Sequence, residues 1–248
     1  MTGIFYFSST GNSLFIAERL QRKLGGCIRY IPTYNGGFAD IDRVVIVSPV
    51  YSFGLPLPVV DFIRSLRVSV PLYVVLNYGG MAGNAEYFAQ KLCLERGLDL
   101  RGVYSMKMPE NFTLVMSPPK FYQNGILKKA PRAADAIADR IARGETRRLS
   151  APKNDRWGGI YAKNRSNWHT LAESFSVTND CVGCKKCERV CPVGNIAVVA
   201  GMPMFGDKCV ACLGCYHRCP QNAIRYKKKK KGRYLNPLVD EGRIGRDE

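Results

Sequence analysis

The 248-residue chain carries the segment CVGCKKCERVCP at residues 181–192 and a near-copy, CVACLGCYHRCP, at 209–220. Both have the spacing C-x2-C-x2-C-x3-C-P, and together they hold eight of the ten cysteines. A disulfide framework is expected in a short secreted chain with cysteines spread along it. Here 180 residues come first, with enough apolar sequence to build a core without covalent staples. Structural zinc usually takes two cysteine pairs separated by a longer loop. A third thiolate three residues after the second suits a compact metal–sulfur cluster better than one tetrahedral ion.

Over about 48 residues this region resembles the two-cluster bacterial ferredoxin domain, whose fourth cysteine ligates the other cluster. The resemblance implies two 4Fe–4S clusters, one on Cys181, Cys184, Cys187 and Cys219, the other on Cys209, Cys212, Cys215 and Cys191. Each repeat then supplies the last ligand of its twin. Pro192 and Pro220 turn the chain away after the fourth cysteine. Gly183 and Gly214 relieve crowding where amides approach sulfur, although Ala211 shows that glycine is not required throughout. His217 is expected to be a surface residue. Lys185, Lys186, Arg189, Lys208 and Arg218 lie within or beside the motifs. Such charges favour the more negative reduced state and raise its potential, or else form a docking face.

Residues 1–143 alternate between two periodicities. Apolar runs at 3–8, 44–51, 71–80 and 100–108 read as buried strands, with 27–32 as a weaker edge strand. Helical spacing begins at Asn12 and ends at Gly25–Gly26; further helices are expected at 59–66, 84–97 and 131–144. Strands alternating with helices predict an α/β fold, a doubly wound five-stranded parallel sheet with right-handed crossovers. A small α+β domain follows it. The expected organisation is residues 1–144, a basic connector with one short helix at 145–178, the cysteine module at 179–228 and a loose tail at 229–248.

The first strand runs into Ser8-Ser9-Thr10-Gly11-Asn12-Ser13 and then directly into a helix. Helix N-terminal amides, hydroxyls and a close-approaching glycine favour a phosphate, although the same cluster also serves as an N-cap. Neither the triphosphate loop nor the dinucleotide fingerprint is present. Two more loops leave the same sheet edge: Pro49-Val50-Tyr51-Ser52-Phe53-Gly54, and Asn77-Tyr78-Gly79-Gly80 with Gly83 and Asn84. Ligands bind at that edge in open parallel sheets.

In these three loops the first ~145 residues resemble flavodoxin, with Ser8–Ser13 implied to hold the FMN phosphate and 49–54 and 77–84 to border the isoalloxazine. Gly54 is the candidate for the glycine peptide that tunes the ring near N5. Flavodoxins are usually acidic, whereas this chain carries a net charge of +17. The order of its parts is similar to flavodoxin–ferredoxin fusion proteins. The resemblance implies an electron-transfer protein that joins FMN to two 4Fe–4S clusters and converts between one- and two-electron carriers. An alternative is an FMN-dependent reductase of a small-molecule acceptor, with residues 108–125 as a lid. No residue stands out as a general acid, base or nucleophile.

The charge is compatible with nucleic acid, an anionic membrane surface or an acidic protein, and equally with a basic surface that only maintains solubility. No base-reading element accompanies the Lys227–Lys231 run, so redox proteins, acidic ones on charge grounds, are the expected partners and nucleic acid is not. No apolar run approaches the roughly 20 residues of a membrane span, and no signal-like leader is recognised. A cytoplasmic protein is expected.

Overall fold

A computed structural model describes residues 1–115, 117–229 and 232–247. Five parallel strands, β1 (Thr2–Tyr6), β2 (Cys27–Tyr30), β3 (Arg43–Pro49), β4 (Leu72–Tyr78) and β5 (Leu100–Lys107), form one sheet in the order β2-β1-β3-β4-β5. This is the flavodoxin-like order, in which the chain leaves β1 in one direction and later strands add in the other. Right-handed crossovers therefore place helices on both faces. Helix α1 (Asn12–Leu24) packs with α4 (Lys120–Ala142), and α2 (Leu57–Ser65) packs with α3 (Ala85–Glu95). Covered on both sides, Val44–Val47 and Leu72–Leu76 are buried without alternation.

Helix α4 begins eleven residues before the expected start at Pro131. The proline lies inside the helix, and Leu127 and Ala130 before it are already buried. Pro131 removes one backbone donor, and burial of this face on α1 offsets the loss.

Beyond α4 come α5 (Arg156–Ser166), a 3-10 segment (Trp168–Ser174) and β6 (Phe175–Val177). The cysteine module is built as two similar halves. Short helices α6 (Lys186–Arg189) and α7 (Gly214–His217) each follow a left-handed residue, Lys185 (φ 59) and Leu213 (φ 59). β6 pairs antiparallel with β9 (Ile224–Tyr226), and β7 (Ile196–Val199) pairs with β8 (Met202–Phe205). The module thus begins at Phe175, inside the expected connector.

The C-terminal segment is not loose. Tyr234, Asn236 and Ile244 are buried, and Ile244 joins the core of the sheet domain. Arg243 pairs with the buried Glu18 at 3.0 Å, and Asp247 accepts the Tyr30 amide at 2.7 Å. Polar, glycine-containing sequence carries no sign of this, because the anchors are single residues without a period. Lys230 and Lys231 of the basic run lie outside the described residues. Among the described residues, no helix is long and apolar enough to cross a membrane.

Candidate functional site

Parallel register brings the loops after β1, β3 and β4 to one edge, with Pro49 beside Asn77. After β3 the chain makes a tight reversal in which Tyr51 N–H donates to Gly54 O at 2.9 Å and Gly54 N–H donates back to Tyr51 O at 3.0 Å. Its central residues, Ser52 (φ 48) and Phe53 (φ 72), are both left-handed without being glycine or asparagine. Each such residue costs about 1–2 kcal/mol. Packing of Phe53 on Trp157, with ring centroids 4.3 Å apart, helps to hold the turn. Gly54, expected to tune the ring near N5, has a steric reason to be glycine: a Cβ there would lie 2.5 Å from the Tyr161 ring, so it makes room for the connector.

These loops border a cavity of about 560 Å³. Its walls are Val50, Tyr51, Ser52 and Phe53, Tyr78 to Met81, Glu110 to Phe112, Trp168, and Ala211 to Leu213. Pro49, Asn77, Gly83 and Asn84 stand outside this lining. Asn77 instead ties the edge together, its Nδ2 donating to Ser13 Oγ at 2.8 Å and to Ser48 O at 3.1 Å. The sequence placed residues 108–125 near the site but did not single out Glu110. It also missed Trp168 and the Ala211–Leu213 wall, since contacts between distant segments leave no local pattern.

The cavity suits a flat ring. Aromatic faces surround it, and its size is that of small-molecule sites. The Tyr51 hydroxyl is buried beside Ser9 and makes no hydrogen bond of good geometry among the described residues, which leaves a donor for a ligand acceptor. The phosphate half does not fit. Ser8, Ser9, Thr10, Asn12 and Ser13 are all buried, and their side chains are engaged by protein. Ser8 Oγ accepts the Gly11 amide at 3.0 Å, Ser9 Oγ donates to Cys212 O at 2.7 Å, and Thr10 Oγ1 accepts from Asn111 Nδ2 at 3.1 Å. Asn12 Oδ1 accepts from the Tyr234 hydroxyl at 2.7 Å and from Asn236 Nδ2 at 3.1 Å.

The cysteines surround two smaller voids. Cys181, Cys184, Cys187 and Cys219 line one and Cys191, Cys209, Cys212 and Cys215 the other, each with only about 20 Å³ of space against about 560 Å³ for the large cavity. The grouping places Cys219 with the first three cysteines and Cys191 with the second three. Four sulfurs spaced round a void fit a multi-atom cluster. Backbone amides already approach the crossing ligands: Asn195 N–H donates to Cys191 Sγ at 3.1 Å and Ala223 N–H to Cys219 Sγ at 3.3 Å. Gly183 (φ 63) and its repeat partner Ala211 (φ 55) share the left-handed conformation, so glycine is favoured but not required there. Burial pushes the Cys212 thiol up to about 12 and the Cys215 and Cys209 thiols upward.

His217 is buried, contrary to expectation. Its Nδ1 accepts the Tyr234 amide at 3.2 Å, so its Nε2–H donates to Asn111 O at 2.7 Å. Burial lowers its pKa to about 4 and keeps it neutral. The imidazole thereby joins the cysteine module, the cavity wall and the C-terminal segment. His217→Phe leaves an amide and a carbonyl without partners, a loss of about 1–3 kcal/mol. The expected result is a thermal midpoint lower by about 5 °C in the metal-loaded chain; an unchanged midpoint would show that this junction bears no stability.

Cys212 and Leu213 line both the large cavity and the second void, so one stretch of chain separates them. Cys184, which lines the first void, is exposed.

No family model matches the chain. A stretch of 76 residues is 36% identical to a protein of the ion-translocating oxidoreductase complex of Methanosarcina acetivorans, covering 27% of this chain and 29% of that protein. The chain therefore matches less than a third of that curated relative's length. Among solved structures, a flavodoxin from Streptococcus pneumonia TIGR4 is 16% identical, with 57% of this chain and 97% of that one covered at a TM-score of 0.41. Fusobacterium nucleatum flavodoxin bound to flavin mononucleotide is 10% identical, with coverage of 58% and 98% and a TM-score of 0.42. The flavodoxin-like assignment of the sheet rests on its own strand order.

Proposed function

We propose that this chain is an electron-transfer protein joining a flavin at the carboxyl edge of the sheet to two 4Fe–4S clusters in the cysteine module. The resemblance in sequence makes FMN the expected flavin. Its parts are a flavodoxin-like domain through residue 144, a connector, and a ferredoxin-like module continuing to 228, a fusion arrangement. Bound flavin supplies two-electron chemistry, and each cluster supplies one electron at a time. Val50–Phe53 and Tyr78–Gly80 would border the ring, with the Tyr51 hydroxyl as a donor. The crossed cysteine sets would hold the clusters.

The observation that carries this reading is the shared wall. Cys212 belongs both to the ring-sized cavity and to a four-cysteine void, so a ring and a cluster would lie on either side of one residue. One chain thereby replaces a collision between carriers with a fixed short separation. The partial likeness to a component of a redox complex supports protein partners, and the positive charge favours acidic ones. Thiolate clusters favour a reducing compartment, so a cytoplasmic setting is proposed with it.

Anaerobic purification should give coloured protein with roughly eight iron, eight sulfide and one flavin per chain. Reducing the flavin should alter the cluster absorption in the same molecule. A colourless preparation, or two chromophores that never exchange electrons, sinks the reading.

A second reading has one observation in its favour. Met81 (54% exposed) and Phe112 (41% exposed) stand at the cavity, where a small acceptor could meet the ring. Saturable turnover of one quinone or flavin acceptor at a rate above exchange with ferredoxin would favour a reductase over a carrier.

A further inference from the structure

We propose that Ser8–Ser13 does not read the flavin phosphate, because the C-terminal segment occupies that place, and that the site selects the flavin ring irrespective of phosphorylation. The inference rests on the flavin reading above and changes which part of the ligand is recognised.

Three observations carry it. The first is steric. Gly11 (φ +94) should leave the space a phosphate needs, yet a Cβ built there meets Val239 Cγ2 at 2.6 Å and Asn236 Cβ at 3.2 Å. The space beside the loop is filled by side chains of its own chain. The second is polar. Asn236 N–H donates to Thr10 O at 2.8 Å, and Asn236 and Tyr234 both donate to Asn12 Oδ1. The Ser9 hydroxyl and the Gly11 amide, two donors a phosphate would use, already serve Cys212 O and Ser8 Oγ. The third is electrostatic. Among the described residues no Lys or Arg lines the neighbouring cavity, and Glu110 contributes a carboxylate to its wall. A phosphate dianion there would meet an uncompensated like charge.

The segment is firmly seated. Gly245 and Arg246 N–H donate to Tyr6 Oη at 2.9 and 3.1 Å, and Arg218 N–H groups donate to the carbonyls of Glu241 and Ile244 at 3.0 and 3.2 Å. Arg218 belongs to the cysteine module, so the segment fastens that module to the loop. The hydroxyl-rich motif then works as a junction between two parts of the protein, and the ring cavity beside it stays open.

The test is a pair of equilibrium titrations of the full chain, metal-loaded and anaerobic, with FMN and with riboflavin, read by quenching of flavin fluorescence. Dissociation constants within tenfold of each other are expected. FMN binding more than tenfold tighter overturns the inference and leaves the flavin reading intact; binding of neither overturns both. Hydrogen exchange supplies an independent readout. The Asn236 amide should stay equally protected with and without FMN, and loss of protection on FMN addition would show the segment yielding to phosphate. A full-length Asn236→Ala, Val239→Ala variant should then acquire a preference for FMN over riboflavin that the parent chain lacks. Failure to gain it in a variant with normal iron content counts against the segment as the determinant.

Discussion

Cys219→Ala should dismantle the cluster held by Cys181, Cys184 and Cys187, although Cys219 is far closer in sequence to Cys215. Iron should fall from roughly eight to roughly four per chain, or leave an incomplete cluster at that site. The reason is spatial: Cys219 shares its void with the three early cysteines, whereas Cys191 is the one that joins Cys209, Cys212 and Cys215. Iron counts alone do not say which site was lost, so pairs of substitutions decide it. Cys219→Ala with Cys184→Ala should lose no more iron than either alone, since both act on one cluster. Cys219→Ala with Cys212→Ala should lose nearly all of it. Residues that act as a unit are non-additive, and separated ones add. The reverse pattern, additivity with Cys184 and none with Cys212, would mean that each repeat closes its own cluster.

Signals that repeat along the chain were legible in the sequence. The sheet announced itself through unbroken apolar runs, and even the edge position of Cys27–Tyr30 followed from its weaker pattern. The grouping of Cys219 with the early cysteines was implied by the resemblance to two-cluster ferredoxins, which the repeated spacing brings out. What could not be read lies where distant segments meet. Asn12 looks like a helix-capping residue in sequence, yet its side chain receives hydrogen bonds from residues 234 and 236. His217 looks like a polar residue in a cysteine-rich loop, yet it is buried because Asn111 and Tyr234 satisfy both ring nitrogens. Gly54 looks like backbone freedom beside a ligand, and it also makes room for Tyr161, whose hydroxyl donates to Leu55 O at 2.6 Å. In each case a residue over 80 positions away supplies the reason, and no local period encodes it.

Gly11→Val separates the phosphate interpretation of the first loop from the junction interpretation. The backbone at residue 11 is left-handed, and a β-branched residue there incurs about 1–2 kcal/mol of backbone strain. The larger effect is collision. A Cβ alone meets Val239 at 2.6 Å, Asn236 at 3.2 Å and Ile244 at 3.3 Å, and all three belong to the C-terminal segment. Displacing that segment exposes the buried Ile244 and Tyr234, each worth on the order of 1.5–3 kcal/mol of burial. The expected result is a C-terminal segment that exchanges its amide hydrogens at least a hundredfold faster, with the five-stranded sheet and the iron content retained. Were the glycine there to admit phosphate, the same substitution would leave the segment protected and abolish FMN binding alone. Among the described residues the cysteine module meets the segment through Arg218, Lys186 and His217 and through Arg233, which donates to Ile224 O at 2.8 Å and lies over the Tyr216 ring; none of these is a cysteine, so the clusters should outlast the loss. Gly11→Asn gives the complementary measurement, because asparagine tolerates left-handed backbone. Its strain is small while its Cβ still meets Val239, so an equally mobile segment assigns the effect to packing and a seated one assigns it to conformation.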